Sequence, residues 1–378
     1  MELTPRRLAG VLIGFAMIVA ACGGSGGSKT PSSTPPDAPT GLTPRATVTT
    51  TPAPPTTVTV VAAPATATNV PATGAAVTPA AAVDGTSAPP PPPPAATSAH
   101  PACGTTKPHA PGDSNETITS GGIDRTYILH VPPQYDGTTQ MPLVLNLHGF
   151  GSNGRQQAIY SQLPAKGDRE GFIVVSPDGT GEPKHWNYPG FGGADDVAFT
   201  RDLLDRVEAD LCIDPKWVFA AGMSNGAAMT TLIACAMPDR ITAVAPVAAM
   251  AGARSCVTDR PIPIITFRGT DDPCVPFEGG TAKCGMALPV VAAEDAAKGW
   301  SDHNGCNVEA ARTDYTNNTR TVAYSECRGD AAVIMFVIEG GGHTWPGSID
   351  VPRLGATTHE INATDQIWQF FVAQASLR

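Results

Sequence analysis

One serine of the sequence lies in a setting that favours nucleophilic chemistry. Ser224 is the centre of a G-x-S-x-G pentapeptide, Gly222 to Gly226, between the apolar run 217–221 and a helical segment that begins near Asn225. In such a strand-to-helix turn, small flanking residues permit a tight backbone that projects the serine hydroxyl. The helix N-terminus behind it places N–H groups where an oxyanion would develop. Ser224 is therefore the candidate nucleophile, and a glycine-rich loop with an incidental serine is the alternative.

A serine nucleophile needs a base, and the base needs a carboxylate that orients it. Along a chain with this kind of turn, the order is serine, then acid, then histidine. The loop that follows the apolar run 262–267 carries two adjacent carboxylates, Asp271 and Asp272. We predict Asp272 as the acid of the triad and Asp271 as a turn-capping residue.

The base is expected after the last strand. The apolar run 332–338 leads into the glycine-rich loop 340–346, which carries His343. We predict His343 as the general base, with a solvated loop histidine as the alternative interpretation. His359 is the main competing histidine, but it lies well past the last predicted strand and close to the final helix.

A tetrahedral intermediate also needs two N–H donors. One is expected from the loop after an early strand, and His148-Gly149-Phe150-Gly151 follows the apolar run 143–147. We predict the backbone N–H groups of Phe150 and Asn225 as the donors, and His148 as a residue that holds the loop by hydrogen bonds. The sequence contains neither H-E-x-x-H nor C-x-x-C, so we predict no metal site and no cofactor.

Aromatic residues near these loops are candidates for a substrate pocket. Trp186 and Trp345 are the main candidates, with Tyr188 and Phe191 beside them. Such rings can stack on an aromatic acid, or they can simply pack the loops. Trp345 is the stronger candidate because it lies two residues after His343.

The elements that must position these residues follow from the hydrophobic pattern. Short apolar runs predict strands at residues 126–131, 143–147, 172–176, 217–221, 243–247, 262–267, 319–324 and 332–338. Helical spacing predicts helices at residues 153–170, 195–211, 225–237, 292–304 and 364–375. Strands alternating with helices predict an α/β fold, with a mainly parallel sheet covered on both faces.

The N-terminus has the pattern of a secretory signal. Arg6 and Arg7 precede an apolar run at residues 8–21, which is shorter than the roughly 20 residues of a membrane-spanning helix. The run ends in Val-Ala-Ala-Cys22 and resembles the bacterial lipobox. We predict a lipoprotein signal peptide at residues 1–21 and lipidation of Cys22; an ordinary signal peptide with an incidental cysteine is the alternative.

Composition separates a linker from the rest of the chain. The sequence has 39 Gly and 38 Pro, and much of this excess falls between residues 23 and 101, where no helical or strand period is present. We predict residues 22–102 as the anchor cysteine and a disordered Ala/Thr/Pro-rich linker, and residues 103–378 as the catalytic domain. The net charge of −10 argues against a nucleic-acid partner.

Cysteine number favours disulfide bonds outside the cytosol. Nine cysteines minus Cys22 leave an even number. Spacing alone does not fix their pairing. Proximity and element order favour the pairs Cys103–Cys212, Cys235–Cys256, Cys274–Cys284 and Cys306–Cys327.

Five separated motifs together resemble one known group of enzymes. HGFG, HWNYPGFGGADDV, GMSNGAAMT, GTDDPCVPF and GGGHTWPG occur in the order seen in secreted α/β-hydrolase esterases of the polyhydroxybutyrate depolymerase and feruloyl esterase group, of carbohydrate esterase type. The resemblance covers roughly residues 126–371. It implies an α/β-hydrolase fold, and it implies the same roles for Ser224, Asp272, His343, Phe150 and Asn225.

The leading hypothesis is a lipid-anchored serine ester hydrolase that works through an acyl-enzyme. Its expected substrate is a polyester, a feruloylated polysaccharide or a small aryl or alkyl ester. The alternatives are acyl transfer to an alcohol of the cell envelope, and a non-catalytic binding lipoprotein on a hydrolase scaffold, against which the complete triad argues. We expect a monomer at the cell surface, attached to the membrane only through its lipid.

Overall fold

The domain is built from strands and helices that alternate along most of its length. A computed structural model describes residues 100–188, 192–307 and 310–378. Within them, the strands are β1 Gly112–Ser120, β2 Ile123–Val131, β3 Met141–Leu147, β4 Ile173–Pro177, β5 Ile213–Met223, β6 Ala243–Val247, β7 Ile264–Gly269, β8 Gly280–Thr281, β9 Pro289–Val290, β10 Ala311–Asp314, β11 Thr319–Tyr324 and β12 Val333–Ile338. The helices are α1 Gly154–Ser161, α2 Leu163–Glu170, α3 Asp196–Asp210, α4 Asn225–Ala236, α5 Ala293–Asn304 and α6 Ala363–Ser376. The predicted signal peptide, Cys22 and Phe191 lie outside the described residues.

Ten of these strands form one sheet in the order β1-β2-β4-β3-β5-β6-β7-β12-β11-β10. The six central strands, from β4 to β12, run parallel. The two strands at each edge are antiparallel. The predicted α/β fold with a mainly parallel sheet is therefore confirmed, and its edges make the sheet mixed.

Two layers of side chains cover the sheet. Leu143, Leu145 and Leu147 of β3 lie on one face, in a core that also holds the apolar side chains of α3, α4 and α5. Val144 lies on the other face, in a second core with the apolar side chains of α6. Successive side chains of a strand point to opposite faces, so a strand that is buried at every position, as β3 is, needs cover on both faces.

The predicted helix 153–170 is two helices in the structure. Gln162 adopts a left-handed conformation, with φ 57°, between α1 and α2. Pro164 follows in the first turn of α2, and a proline has no N–H to continue the hydrogen bonds of a preceding helix. After the break, Leu163 at the start of α2 packs in the same core as the apolar side chains of α6.

The described residues just before the predicted start of the domain are packed against it. The His100 ring hydrogen-bonds Asp214 at 2.9 Å and meets Trp217 edge-on at 4.9 Å. The Pro101 carbonyl accepts a hydrogen bond from the Gln140 N–H at 2.9 Å. Residues 100–102, which composition assigns to the linker, therefore contact the domain.

Four disulfides link cysteines of the described residues, one across 109 positions and three across 10 to 21. They are Cys103–Cys212, Cys235–Cys256, Cys274–Cys284 and Cys306–Cys327, the pairs that proximity and element order favour. Bonds of this kind are typical of proteins outside the cytosol. Within the described ranges, no helix has both the length and the apolar character that crossing a membrane requires.

Candidate active site

Ser224 occupies the sharp turn between β5 and α4. Its backbone has φ 56° and ψ −116°, a region that residues other than glycine rarely adopt. Its N–H donates to the Val247 carbonyl at 2.9 Å, which ties the turn to the end of β6. The serine side chain is only 5% exposed.

Close backbone contacts explain the two glycines of the pentapeptide. A Cβ on Gly222 would lie 2.6 Å from the Gly226 carbonyl oxygen. A Cβ on Gly226 would lie 2.4 Å from the Leu147 carbonyl oxygen, at the end of β3. Both positions therefore require glycine for the helix to begin this close to the strands.

Asp272 and His343 form a buried hydrogen-bonded pair. His343 Nδ1 and Asp272 Oδ2 are 2.8 Å apart, and the other carboxylate oxygen accepts the N–H groups of Cys274 and Val275, both at 2.8 Å. Since Nδ1 is directed at the carboxylate, Nε2 is the ring nitrogen that remains to take a proton from a substrate or a serine. The arrangement is that of a base held by an orienting acid.

The competing residues lie in different surroundings. The Asp271 side chain is exposed. His359 is also exposed and hydrogen-bonds Asp350 at 3.1 Å. Neither environment provides the buried carboxylate and imidazole contact that a triad needs.

The topology brings the three predicted triad residues to one edge of the sheet. Ser224 follows β5, Asp272 follows β7 and His343 follows β12. These strands belong to the parallel centre of the sheet, in the order β5-β6-β7-β12. The loops after parallel strands emerge at the same edge, and β7 and β12 are direct neighbours, which explains why the acid and the histidine meet.

The predicted oxyanion loop lies against the serine. A Cβ on Gly149 would be 3.4 Å from Ser224 Cβ, so the loop that carries Phe150 passes beside the nucleophile. Asn225 is the first residue of α4, and the first N–H groups of a helix have no partner within the helix. Both predicted donors therefore lie on backbone that adjoins Ser224.

His148 holds this loop in place. Its Nε2 accepts the Gly179 N–H at 2.9 Å, which puts the ring proton on Nδ1, where it donates to the Gly149 carbonyl at 2.8 Å. Burial lowers the pKa of His148 to about 4. The ring is neutral at neutral pH, as its acceptor role requires.

Trp186 and Trp345 do not lie where a substrate-pocket residue is expected. Trp186 is 0% exposed, and its ring N–H donates to the His148 carbonyl at 2.8 Å. Trp345 is 1% exposed, and its ring N–H donates to Thr364 Oγ1 at 2.9 Å. Both rings pack within the protein, so their predicted role as pocket residues disagrees with their positions.

The Asn225 side chain has a contact that sequence reasoning did not find. Its oxygen accepts the Trp186 N–H at 2.6 Å, and its nitrogen donates to the Trp186 carbonyl at 3.1 Å. Asn225 thereby links the first turn of α4 to the segment that supports His148. An amide side chain in the elbow is the only signal in the sequence for this link.

A cleft of about 110 Å³ lies beside the serine. We call it the serine cleft. It is lined by Tyr188, Ser224, Met250, Arg268, Val275 and Val290, among others. Of the aromatic candidates that the structure describes, Tyr188 lines it.

A group of possible metal ligands coincides with the triad. Ligand atoms of Asp272, Cys274 and His343 lie within 4.8 Å of one another. Cys274 is bonded to Cys284 and has no thiolate to offer, while the Asp272 oxygens accept three hydrogen bonds. The cluster is thus accounted for by the acid–histidine pair.

Comparison with known proteins agrees with the motifs. Residues 125–261, which include Ser224, match the family model described as "Esterase PHB depolymerase". Feruloyl esterase B of Piromyces equi is 33% identical over 229 residues, which are 58% of this chain and 42% of that protein. Feruloyl esterase C of Emericella nidulans is 26% identical over 275 residues, which are 70% of this chain and 92% of that protein. Over most of its catalytic domain the chain is therefore similar to esterases of this group.

Solved structures give a further comparison. An acetyl xylan esterase from Aspergillus awamori has a TM-score of 0.49 and 14% identity, and the alignment covers 68% of this chain and 99% of that chain. The chain spans less than half of the Piromyces esterase.

Proposed function

We propose that the protein is a serine ester hydrolase that acts through an acyl-enzyme. Ser224 is the nucleophile, His343 the general base and Asp272 the acid that orients it. The observation that carries the proposal is the buried pair of His343 Nδ1 and Asp272 Oδ2, 2.8 Å apart, at the same sheet edge as the strained turn at Ser224. Similarity to feruloyl esterases supports an ester as the substrate.

The reaction follows from these positions. Ser224 Oγ attacks the ester carbonyl carbon while its proton passes to His343 Nε2. The bond from that carbon to the alkoxy oxygen then breaks, and His343 returns the proton to the departing alcohol. Water repeats the sequence on the acyl-enzyme and releases the acid.

Electrostatics stabilises both charges that develop. The backbone N–H groups of Phe150 and Asn225 donate to the carbonyl oxygen as it becomes an oxyanion. The Asp272 carboxylate stabilises the imidazolium that forms on His343. Since Asp272 also accepts two backbone N–H groups, it stays fixed while the proton moves.

We further propose that the enzyme is a cell-surface lipoprotein, acting as a monomer and joined to the membrane through lipid on Cys22. The lipobox-like end of the apolar run and the remaining even number of cysteines support it. The linker then carries the domain away from the membrane surface.

A serine substitution tests the proposed function. Ser224→Ala is expected to lower kcat for a short p-nitrophenyl ester by about 10³-fold or more, and a fluorophosphonate should label Ser224 of the wild type, as read by peptide mass spectrometry. The exposed residue Ser255 provides the control, because Ser255→Ala should keep both rate and labelling. Near-normal turnover by purified Ser224→Ala would contradict the proposal.

A second readout separates hydrolysis from acyl transfer. The same reaction is run with an added sugar, and its products are separated by chromatography. Free acid as the main product supports hydrolysis, whereas a sugar ester would assign the enzyme to acyl transfer.

A further inference from the structure

A buried arginine lines the serine cleft. Arg268 lies on β7, is 1% exposed, and forms part of the cleft wall together with Ser224. Its Nη2 donates to the Val275 carbonyl at 3.4 Å, and its Nε has no partner among the described residues. A guanidinium offers five N–H donors, so most of its hydrogen-bonding capacity is unused.

Like Arg268 Nε, a second buried polar atom on the same face of β7 has no hydrogen-bond partner among the described residues. Thr266 precedes Arg268 by two residues, and alternate residues of a strand share a face. Its Oγ1 is buried and has no partner among the described residues. Buried polar atoms are nearly always hydrogen-bonded, so each exception needs an explanation such as a bound water, an ion or a catalytic role.

Arg268 and the triad acid interact through their charges but not through a hydrogen bond. Asp272 already accepts hydrogen bonds from His343, Cys274 and Val275. In the described part of the chain, Arg268 donates no hydrogen bond to Asp272. Burial lowers the pKa of Arg268 to about 10, while the Asp272 charge opposes this shift. The guanidinium is therefore a cation at neutral pH.

The rest of the serine cleft is mainly apolar and small. Ala228, Met250, Val275 and Val290 contribute to its walls. A cavity of about 150 Å³ holds a benzene molecule. Benzene has six non-hydrogen atoms, so the volume of about 110 Å³ of the serine cleft corresponds to about four or five such atoms. An acyl group of that size beyond its reacting carbonyl carbon would fill the cleft.

We propose that Arg268 determines specificity by binding a carboxylate at the far end of a short acyl group, so that the preferred substrates are monoesters of dicarboxylic acids of succinate size. The inference rests on the proposed ester hydrolysis at Ser224. A succinyl group places two methylene carbons against the apolar walls and a carboxylate at Arg268. Arginine binds a carboxylate through two parallel N–H donors, which matches the unused donors here.

Two esters of equal chain length test the proposal. Monomethyl succinate and methyl butanoate differ in the terminal carboxylate. The wild type is expected to show a kcat/KM at least about tenfold higher for monomethyl succinate, since a site built for a polar group rejects the analogue that lacks it. In Arg268→Met the ratio of the two kcat/KM values should fall to about one, because the partner of the terminal carboxylate is lost.

A charge-retaining variant and an inhibitor complete the design. Arg268→Lys keeps the positive charge but lacks the two parallel N–H donors of a guanidinium. Its preference for monomethyl succinate should therefore lie between those of the wild type and Arg268→Met. Succinate should inhibit methyl butanoate hydrolysis by the wild type competitively, and butanoate should do so much more weakly. This measurement decides the question even if Arg268→Met does not fold.

Each contrary result has its own meaning. A wild type that prefers methyl butanoate overturns the inference and leaves the proposed function intact. Equal losses on both esters in Arg268→Met would make Arg268 a positioning residue for the Asp272 loop, which also overturns it. If the wild type hydrolyses neither ester, the inference is also overturned. Fluorophosphonate labelling of Ser224 then shows whether the proposed function fails too.

Discussion

Asp271 and Asp272 are neighbours of the same chemical type in very different surroundings. Asp272 is buried and accepts three hydrogen bonds, one from His343 Nδ1. Asp271 is exposed. Asp272→Asn should therefore lower kcat by about 10³-fold or more, because an amide does not hold the required histidine tautomer. Steady-state kinetics of both asparagine variants check this, with Asp271→Asn expected within about threefold of the wild type; equal small losses would show that the acid is elsewhere.

His148 makes the stability of the oxyanion loop depend on pH. Its pKa is lowered to about 4 in the folded protein, so the unfolded chain binds its proton first as the pH falls. Above about pH 6.5, neutral His148 contributes fully to the free energy of unfolding. Between that pH and about pH 4.5, the free energy of unfolding should fall by about 2 to 3 kcal/mol because of this residue. Urea unfolding across this range measures the loss.

A non-titrating variant isolates that contribution. His148→Asn keeps hydrogen-bonding groups at the position but binds no proton, so its unfolding free energy should fall less steeply over the same pH interval. Parallel curves for variant and wild type would show that His148 is not the group responsible.

Single residues were predictable where motif and chain order act together. Gly222 and Gly226 are required by backbone approaches of 2.6 and 2.4 Å, so the G-x-S-x-G spacing reports real geometry. The unused donor at Arg268 Nε was not predictable, because it depends on the Asp272 oxygens accepting hydrogen bonds from His343, Cys274 and Val275 instead. The burial of Trp186 likewise depends on its contacts with His148 and Asn225.

At the scale of elements, one disulfide-bonded segment forms a wall of the serine cleft. Cys274–Cys284 and the short β8–β9 ladder fold residues 274–291 back on themselves. Ala282, Met286 and Val290 of this segment line the cleft. The shape of the substrate site therefore depends on a covalent crosslink that begins two residues after Asp272.

Removing that crosslink should affect binding more than chemistry. Cys274→Ala combined with Cys284→Ala is expected to raise KM severalfold, to change kcat little, and to cost about 3 kcal/mol of stability. The matched control removes Cys306–Cys327, which closes another short loop and should cost similar stability without changing KM. Steady-state kinetics and urea unfolding compare the two, and an equal rise in KM would mean that the wall does not need its disulfide.

Central elements were more predictable than edge elements. The buried strands β3, β6 and β7 are short, mostly apolar runs, which the sequence displays directly. The edge strands β1 and β10 were not predicted because they are largely polar and exposed, and their pairing depends on neighbours. The Gly121-Gly122 pair is a sequence signal that could have revealed β1. Both glycines adopt positive φ, which suits the two-residue turn of the β1–β2 hairpin.

At the scale of the whole molecule, the linker and the domain should be separable in function. His100 and Pro101 contact the domain, and a deletion of residues 29–98 keeps both residues. The shortened protein is expected to hydrolyse a soluble p-nitrophenyl ester at the full rate, since no proposed triad element is removed. On intact cells, its activity on an ester embedded in the cell wall should fall because the reach of the tether is lost.

Both activities are measured at matched amounts of surface protein. A severalfold lower rate of the purified protein on the soluble ester would mean that the deleted segment contributes to the domain. An unchanged rate on the wall-embedded ester would mean that the linker is not needed for reach.

The Cys103–Cys212 bond also determines how the domain would carry mechanical tension. The bond bridges 109 positions, so a pull on the chain before residue 100 passes from Cys103 directly to Cys212, and β1 to β4 lie outside the load path. Cys212 immediately precedes β5, which leads to Ser224. While an acyl-enzyme holds a fixed polymer, the force would run along β5, which is hydrogen-bonded to β3 on one side and β6 on the other. Extraction of that strand would have to shear both ladders at once, so the attachment point and the reacting serine share a central strand that is hydrogen-bonded on both sides.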